Sequence, residues 1–441
     1  MFIFALHIFF YIKMKQLIFI LVSFGCLIIS FFGGCTPKAT QSERWIHHDS
    51  VNYPLQNPLV SENGTKIKSV KQWEKIRRPE LLKMFEQQMY GEVPAGIKVD
   101  FRETYKSPNY FDGKASLREF AMLVNNEPIP QMHVLIFIPN NINEKAPVIM
   151  GYNWDGNQTL CTDTLVYMMC EEQLTKRVTP QGMQRTIELS KRTTTPSSFI
   201  ERIIDNGYAY ITACFWELEP DHKDCFPAGV RALVSNGEPL TDNSWGAIAA
   251  WAWGMSRILD LAETIAEIDA TRCAVVGHSR LGKTALWAGA NDQRITVTTS
   301  NDSGCGGAAL SKRISGETVE QINNYFPYWF SKKFHQYKGK EEKLPFDQHQ
   351  LMTLIAPRPL YVCSGASDLW ADPLGEYLSV FYANPVYKLY GKKTMPYTQA
   401  LLPPTNTPQI GDAAYHIENA GHLFSDYDWE QFLLFFDKYL K

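Results

Sequence analysis

The amino-acid sequence predicts an α/β fold of three layers, in which helices cover both faces of a mostly parallel central sheet. Short apolar runs such as MHVLIFIP and APVIMGYNW recur along the chain, and segments with helical spacing of apolar residues, such as SWGAIAAWAWGMSRILDLAETI, lie between several of them. Strands that alternate with helices are typical of a parallel sheet covered on both faces. The 441 residues are 45% hydrophobic, which is enough to bury a large core, so we expect one large domain.

The first 35 residues differ in composition from the rest of the chain. Two lysines precede an apolar run that ends in two glycines and Cys35. This pattern resembles a bacterial lipoprotein signal peptide, and a transmembrane anchor of about 20 residues is the alternative. We predict a signal segment over residues 1–35, a polar tether over 36–70 and a single domain over 71–441. Either form of attachment places the domain outside the cytoplasm, at the bacterial cell envelope, facing the periplasm or the cell surface.

The predicted domain begins with a helix and continues into the strand and helix pattern. The segment WEKIRRPELLKMFEQQMYGEVP places apolar side chains on one face of a helix that we expect to start at Pro79 and Glu80. Six apolar or β-branched runs follow as predicted strands: MHVLIFIP, APVIMGYNW, YAYITACFW, CAVVGHS, ITVTTS and RPLYVCSG. The polar stretch from about 161 to 200 is expected to be an insertion on the loop side of the sheet.

Charge and cysteine content exclude several classes of function. The formal net charge is −3 and the charged residues are spread along the chain, so we expect no nucleic-acid partner. Seven cysteines follow the signal segment, and this odd number argues against a complete disulfide framework. Cys161 with Cys170 and Cys214 with Cys225 are the candidate pairs in an oxidising compartment. No Cys/His spacing is typical of a zinc site, so we expect no metal.

The predicted strand CAVVGHS leads into a sharp turn that holds Ser279, and a helix rich in small residues follows. A serine at such a junction is the nucleophile elbow of the α/β-hydrolase plan, in which the turn imposes strained dihedral angles on the serine. Gly277 leaves room on one side, but Leu281 stands where the second glycine of G-x-S-x-G is usual, and the glycine comes at Gly282. The turn by itself leaves a nucleophile and an ordinary strand end as alternatives.

The remainder of the chain favours the nucleophile. In this fold the order along the chain is serine, acid and histidine, with the histidine in a loop near the C-terminus. His422 precedes a predicted C-terminal helix, whereas its competitor His416 lies in the apparent strand AYHIE. Two carboxylates are candidates for the acid: Asp368 follows a late strand, and Asp302 follows the strand after the nucleophile helix. Their alternative roles are a helix cap for Asp368 and a turn former for Asp302.

Three separated motifs, GHSRLGK, SGASDLWADP and GHLFSDYDW, resemble the glucuronoyl esterases of carbohydrate esterase family 15, in their bacterial form. The resemblance extends from about Trp73 to the C-terminus and implies an α/β-hydrolase three-layer sandwich with a mostly parallel central sheet. It implies that Ser279 is the nucleophile, that His422 is the base, and that the Arg280 side chain assists backbone N–H groups in stabilising the oxyanion. Such a donor is worth roughly 3 kcal/mol in the transition state.

The same resemblance assigns three residues to substrate binding. Lys283 and Glu317 occupy positions that hydrogen-bond sugar hydroxyls, and Trp370 matches a ring that lines the uronate pocket. The sequence also departs from the pattern, because fungal members carry a disulfide at the positions that are His278 and Leu423 here. That disulfide cannot form in this chain.

A second departure concerns the acid. The acid position soon after the nucleophile helix is glutamate in many members of the family and is the shorter Asp302 here. We therefore expect Asp368 to orient His422, with Asp302 as the second candidate for that role.

The resemblance implies a serine esterase that needs no cofactor and that hydrolyses the ester between 4-O-methyl-glucuronic acid side chains of xylan and lignin alcohols. We would expect it to bind glucuronoxylan and lignin-carbohydrate esters as its substrate. We would expect it to contact the membrane only through the N-terminal lipid anchor and to be a monomer. Two alternatives stay open. One is an acetyl or feruloyl xylan esterase on the same fold, and the other is a tethered carbohydrate-binding protein whose hydrolase fold is catalytically inactive.

Overall fold

A nine-stranded sheet runs through the part of the chain that the computed structural model describes, residues 55–168, 191–236, 238–397 and 401–441. The strands are β1 (Val99–Tyr110), β2 (Ala115–Val124), β3 (Met132–Pro139), β4 (Ala146–Asn153), β5 (Ala209–Cys214), β6 (Ile268–Val276), β7 (Val297–Asn301), β8 (Leu360–Gly365) and β9 (Ala413–Glu418). Their order across the sheet is β1-β2-β3-β5-β4-β6-β7-β8-β9. Strands β4 to β9 pair in parallel, whereas β1, β2 and β3 pair antiparallel with their neighbours. The prediction of a mostly parallel sheet is confirmed.

Helices cover both faces of this sheet. The α-helices are α1 (Val70–Gln72), α2 (Arg78–Phe85), α3 (Ser198–Asp205), α4 (Phe215–Leu218), α5 (Val230–Val234), α6 (Ala247–Thr264), α7 (Arg280–Asn291), α8 (Val319–Tyr325), α9 (Gln348–Ile355), α10 (Pro373–Leu389) and α11 (Asp426–Leu440). Short 3-10 helices occupy Asn157–Thr159, Phe226–Ala228, Ser311–Arg313, Lys332–Tyr337 and Glu341–Lys343. None of the helices in the described ranges has the length and apolar character needed to cross a membrane.

Two apolar cores lie on the two faces of the sheet. One core joins the sheet to α2, α6, α7, α9 and α10, and the other joins it to α3 and α11. Strand β4 shows the division, since Val148 and Met150 belong to the first core and Ile149 to the second. Successive side chains of a strand point to opposite faces, so a strand that is buried on both faces is apolar throughout. The predicted three-layer sandwich is confirmed.

The first helical segment starts earlier than predicted. It begins at Val70 and ends at Tyr90, with π-helical turns at Trp73–Arg77 and Glu86–Tyr90 on either side of α2. The Ser69 side chain caps it by accepting from the backbone N–H of Gln72 at 3.3 Å. The expected start at Pro79 and Glu80 is wrong, because the proline falls just after a π-turn, where the missing N–H is tolerated within a continuous helical segment.

The last part of the predicted tether packs against the domain. Ile67 is a member of the first apolar core, and Leu55 and Leu59 pack against it. The backbone carbonyl of Gln56 bonds Nε2 of His349 at 2.8 Å. The folded unit therefore starts before residue 71. The predicted signal segment, the first part of the tether and most of the predicted insertion lie outside the described residues.

The cysteines of the described ranges are buried free thiols: Cys161, Cys214, Cys225, Cys273, Cys305 and Cys363. The candidate disulfide between Cys214 and Cys225 is therefore wrong. For the other candidate pair, Cys170 lies outside the described residues. These side chains act as small apolar groups, as free cysteines in a core usually do.

Candidate active site

The turn between β6 and α7 holds Ser279 in a strained conformation. Its φ is 57° and its ψ is −125°, a combination that residues other than glycine rarely adopt. The backbone N–H of Ser279 donates to the carbonyl of Asn301 at 2.9 Å, which ties the turn to the end of β7. A Cβ at Gly277 would lie 2.0 Å from the carbonyl oxygen of Leu281, so only glycine fits there. The turn has the geometry of a nucleophile elbow.

The glycine at 282 explains the irregular spacing of the motif. A Cβ at Gly282 would lie 2.9 Å from Oγ of Ser300 and 3.0 Å from Cβ of Ser303. The first turn of α7 therefore packs closely against the end of β7 through this glycine. Leu281, which occupies the usual glycine position, is 2% exposed and belongs to the first apolar core.

His422 lies in the loop between β9 and α11 and pairs with Asp368. Its Nδ1 donates to Oδ2 of the Asp368 carboxylate at 2.6 Å, and the carboxylate is buried while the imidazole is partly exposed. The ring of His278, the residue before Ser279, lies 4.6 Å from the ring of His422 between centroids. The loop thus places His422 beside the serine turn. A buried carboxylate on Nδ1 leaves Nε2 free of its proton and able to accept one.

His278 is held by a different partner. Its Nδ1 forms a short hydrogen bond with the side-chain oxygen of Asn301. Burial, and then the neighbouring His422, lower the pKa of His278 to about 4. The ring is therefore neutral at neutral pH.

Asp302 lies close to the pair of His422 and Asp368 but bonds elsewhere. Its Oδ1 accepts from the backbone N–H of Gly365 at 2.7 Å. A carboxylate oxygen of Asp302, a carboxylate oxygen of Asp368 and a ring nitrogen of His422 all lie within 4.8 Å of one another. The carboxylate that accepts the hydrogen bond from the imidazole is nevertheless that of Asp368. Burial, and then the charge of Glu376, raise the pKa of Asp302 well above its usual range. Asp302 is therefore easier to protonate than an exposed aspartate.

His416, the competing histidine, is fully buried. Its Nε2 bonds Oδ1 of Asp428 at 2.9 Å, and its Nδ1 bonds the hydroxyl of Tyr361 at 2.9 Å. The sulfur of Cys363 lies within 4.8 Å of a ring nitrogen of His416 and a carboxylate oxygen of Asp428. Because both ring nitrogens already have partners, His416 has no nitrogen left for a substrate or a metal ion. Asp428 also caps α11 through Ser425, so the cluster fixes the start of that helix.

The Arg280 guanidinium turns toward a buried carboxylate and three aromatic rings. It forms an ion pair with Asp221, whose side chain is almost fully buried. Its central carbon lies 4.8 Å from the ring centre of Trp329 and 5.4 Å from those of Trp154 and Phe326. Cation–π contacts of this kind help to hold a guanidinium in place.

Asp221 is the site residue that sequence reasoning missed. Its Oδ1 accepts from the hydroxyl of Tyr328 and from the indole N–H of Trp329, both at 2.8 Å. These bonds leave its other oxygen for Arg280. The segment ELEPDHKDC around it carries no motif, and only the folded chain brings it to the start of α7.

Lys283 and Glu317 lie near one another on the same side of the site. The Lys283 ammonium is buried and donates to the backbone carbonyl of Ser303. Burial lowers the pKa of Lys283 and raises that of Glu317, and the charge of each residue opposes the shift of the other. Trp370 is 48% exposed, and its carbonyl accepts from the backbone N–H of Glu317 at 2.9 Å. The three residues predicted to bind substrate therefore lie in one region.

The chain is similar in sequence and structure to several known proteins. The family described as "Glucuronyl esterase, fungi" matches residues 240–391. The carbohydrate esterase MZ0003 of an unknown prokaryotic organism is 37% identical over 411 residues, which are 92% of this chain and 94% of that protein. The structure of a glucuronoyl esterase from Solibacter usitatus superposes with a TM-score of 0.79 at 34% identity, covering 89% of this chain and all of that one. The 4-O-methyl-glucuronoyl methylesterase 1 of Wolfiporia cocos is 39% identical over 160 residues, 34% of this chain and 39% of that protein.

Proposed function

Because this chain belongs to the glucuronoyl esterases of carbohydrate esterase family 15, we propose that it hydrolyses the ester between 4-O-methyl-glucuronic acid side chains of xylan and lignin alcohols. It is a carboxylic ester hydrolase with an α/β-hydrolase fold. The observation that carries the proposal for this chain's own residues is the hydrogen bond between His422 and Asp368 beside the strained turn of Ser279.

In the proposed mechanism Ser279 is the nucleophile. Nε2 of His422 takes the proton of the Ser279 hydroxyl as Oγ attacks the C6 carbonyl of the glucuronate ester. Asp368 holds the proton on Nδ1 and stabilises the imidazolium that forms. His422 then returns its proton to the departing alcohol oxygen, and a water molecule activated in the same way releases glucuronate from the acyl-enzyme.

Arg280 and the start of α7 stabilise the negative charge of the tetrahedral intermediate in this proposal. Asp221 and the ring of Trp329 hold the guanidinium before substrate binds, so little reorganisation is needed when the charge develops. The first N–H groups of a helix add a partial positive charge at the same end. Arg280 acts directly on the oxyanion, whereas Asp221 is a positioning residue.

Lys283, Glu317 and Trp370 are proposed to recognise the sugar. An ammonium and a carboxylate provide a donor and an acceptor for the hydroxyl groups of a pyranose. The exposed Trp370 ring offers an apolar surface at the rim of the site. An ester of a uronic acid presents its sugar on the acyl side, so these groups recognise the part of the substrate that stays on Ser279.

The test is the release of benzyl alcohol from benzyl glucuronate by the purified chain, with Ser279→Ala as the matched control. We expect turnover by the natural chain and its loss in the variant, with an unchanged thermal unfolding midpoint. Acetylated and feruloylated xylans serve as comparison substrates. A folded chain that leaves benzyl glucuronate intact and releases acetate or ferulate would contradict the proposal.

The N-terminal attachment and the oligomeric state are separate proposals. We propose that Cys35 carries a lipid, on the basis of the apolar run and the two glycines before it. We expect mass spectrometry of the natural chain purified from membranes to find a lipid on Cys35, and the lipid to be missing in Cys35→Ala. We expect a monomer in solution, which light scattering after gel filtration measures.

A further inference from the structure

A second groove lies at the far end of α7 from Ser279. It has a volume of about 400 Å³, and its walls come from the last π-turn of the first helical segment, from α6 and from α7. The aromatic, charged and amide side chains that line the groove are Glu86, Glu92, Trp253, Arg257, Trp287 and Asn291. Its volume falls within the range of about 300–1,000 Å³ that is usual for ligand sites.

The walls of the groove are fixed by tight packing. Trp287 is 2% exposed and stacks on Tyr90 with ring centres 4.0 Å apart, which gives the groove a rigid floor. Gly91 has a φ of +81°, and a Cβ there would lie 2.3 Å from the carbonyl oxygen of Ser244. The chain therefore turns sharply at this wall with no room to relax. A ligand would meet a preformed site.

The chemistry of the lining suits a carbohydrate. Trp253 is partly buried, with its ring perpendicular to that of Trp245, and the Arg257 guanidinium lies 5.8 Å from the Trp253 ring centre. Aromatic rings bind the C–H surfaces of sugars, while carboxylate, guanidinium and amide groups bind the hydroxyls. Glu86, Glu92 and Asn291 supply such groups around the same space.

The charge balance selects the kind of sugar. Glu86 and Glu92 give the groove two carboxylates, and its single guanidinium, that of Arg257, already pairs with the carboxylate of Asp260 at 3.1 Å. Burial, and then the charge of Glu92, raise the pKa of Glu86, as expected of acids close together in a recess. A uronate would bring a further negative charge into this space. A neutral sugar chain has no such cost.

The groove and the serine are separated along one helix. Asn291 lies twelve positions after Ser279, and a rise of 1.5 Å per residue places them about 18 Å apart along α7. We propose that the groove binds a stretch of the neutral xylan backbone, as a second site apart from the catalytic centre. This inference rests on the proposed function, because a glucuronoxylan has both an esterified side chain and a neutral backbone.

The test uses xylohexaose, which is neutral and contains no ester, titrated by calorimetry into the full chain. We expect Trp253→Ala to weaken binding at least tenfold and Glu92→Ala to weaken it several-fold. Glu92 is exposed, so its variant keeps the test valid if the tryptophan variant does not fold. Trp370→Ala is the matched control, since it removes an indole at the catalytic cleft, and it should bind xylohexaose as the natural chain does.

Turnover of benzyl glucuronate by each variant separates the two proposals. Trp253→Ala should keep turnover within twofold of the natural chain, since its substitution lies far from Ser279. Loss of binding in Trp370→Ala with unchanged binding in Trp253→Ala and Glu92→Ala would overturn the second site. A natural chain that does not bind xylohexaose would overturn it as well. Absence of turnover in the natural chain would count against the proposed function alone, because xylohexaose binding is measured without catalysis.

Discussion

Replacing each candidate acid by its amide tests which carboxylate orients the catalytic histidine. In Asp368→Asn, the side chain that accepts from Nδ1 of His422 at 2.6 Å becomes an amide of the same shape. An amide stabilises either tautomer of the imidazole, and the tautomer with its proton on Nε2 cannot accept the proton of Ser279. The orienting acid of such a triad is worth about 10⁴-fold in kcat. That factor corresponds to about 5 kcal/mol in the activation free energy.

The matched variant Asp302→Asn has a different expectation. The Asp302 carboxyl bonds the N–H of Gly365 through one oxygen, which an amide oxygen replaces. Burial raises the pKa of Asp302, and asparagine resembles its protonated form. We therefore expect a loss in kcat below about tenfold, or about 1 kcal/mol.

The assay is the steady-state hydrolysis of benzyl glucuronate by the two variants and the natural chain at pH 7. Circular dichroism and the thermal midpoint verify that each variant is folded. A loss near 10⁴-fold in Asp302→Asn, with a small loss in Asp368→Asn, would refute the assignment of Asp368. Equal intermediate losses would show that the two carboxylates share the role.

Three further predictions follow from the structure. Arg280→Ala should lower kcat for benzyl glucuronate about 10²–10³-fold with the fold intact, and a loss below fivefold would contradict its role at the oxyanion. Burial is the main reason that the pKa of Glu376 rises from 4.5 to about 7, so the contribution of this carboxyl group to stability should be lost as the pH rises through that interval. Between pH 5 and pH 8, the thermal midpoint of the natural chain should therefore fall relative to that of Glu376→Gln. A difference between the two midpoints that stays constant over this range would argue against the reasoning. His416→Ala leaves Asp428 buried without its partner, so urea denaturation should show a loss of about 3–5 kcal/mol, and a loss under 1 kcal/mol would contradict the buried pair.

The central strands could be predicted from sequence because they are apolar throughout. The run MHVLIFIP corresponds to β3, and the other predicted runs contain or overlap β4 to β8. The hairpin of β1 and β2 was not predicted. Strand β1 lies at the edge of the sheet, is largely exposed and contains Pro108, while Arg118 and Glu119 interrupt the apolar pattern of β2. An edge strand with one solvated face has no continuous apolar run to reveal it.

The site residues divide in a similar way. Ser279, His422 and Asp368 follow strands or precede helices that the sequence reveals, so their order along the chain predicted their meeting. Asp221 lies in a loop, and its role depends on the contacts of its carboxylate with Tyr328, Trp329 and Arg280. These contacts join segments about 60 and 107 positions apart, and local spacing carries no information about them.

The enclosed position of Arg280 has a consequence for the end of the catalytic cycle. A guanidinium held by Asp221 and Trp329 keeps its direction whether the site contains an ester, an intermediate or a free acid. Hydrolysis converts a neutral ester into a glucuronate anion whose carboxylate lies where the oxyanion was. In the proposed mechanism, the charge that stabilises the oxyanion therefore also retains the product. Free glucuronate should therefore compete with the ester for the site.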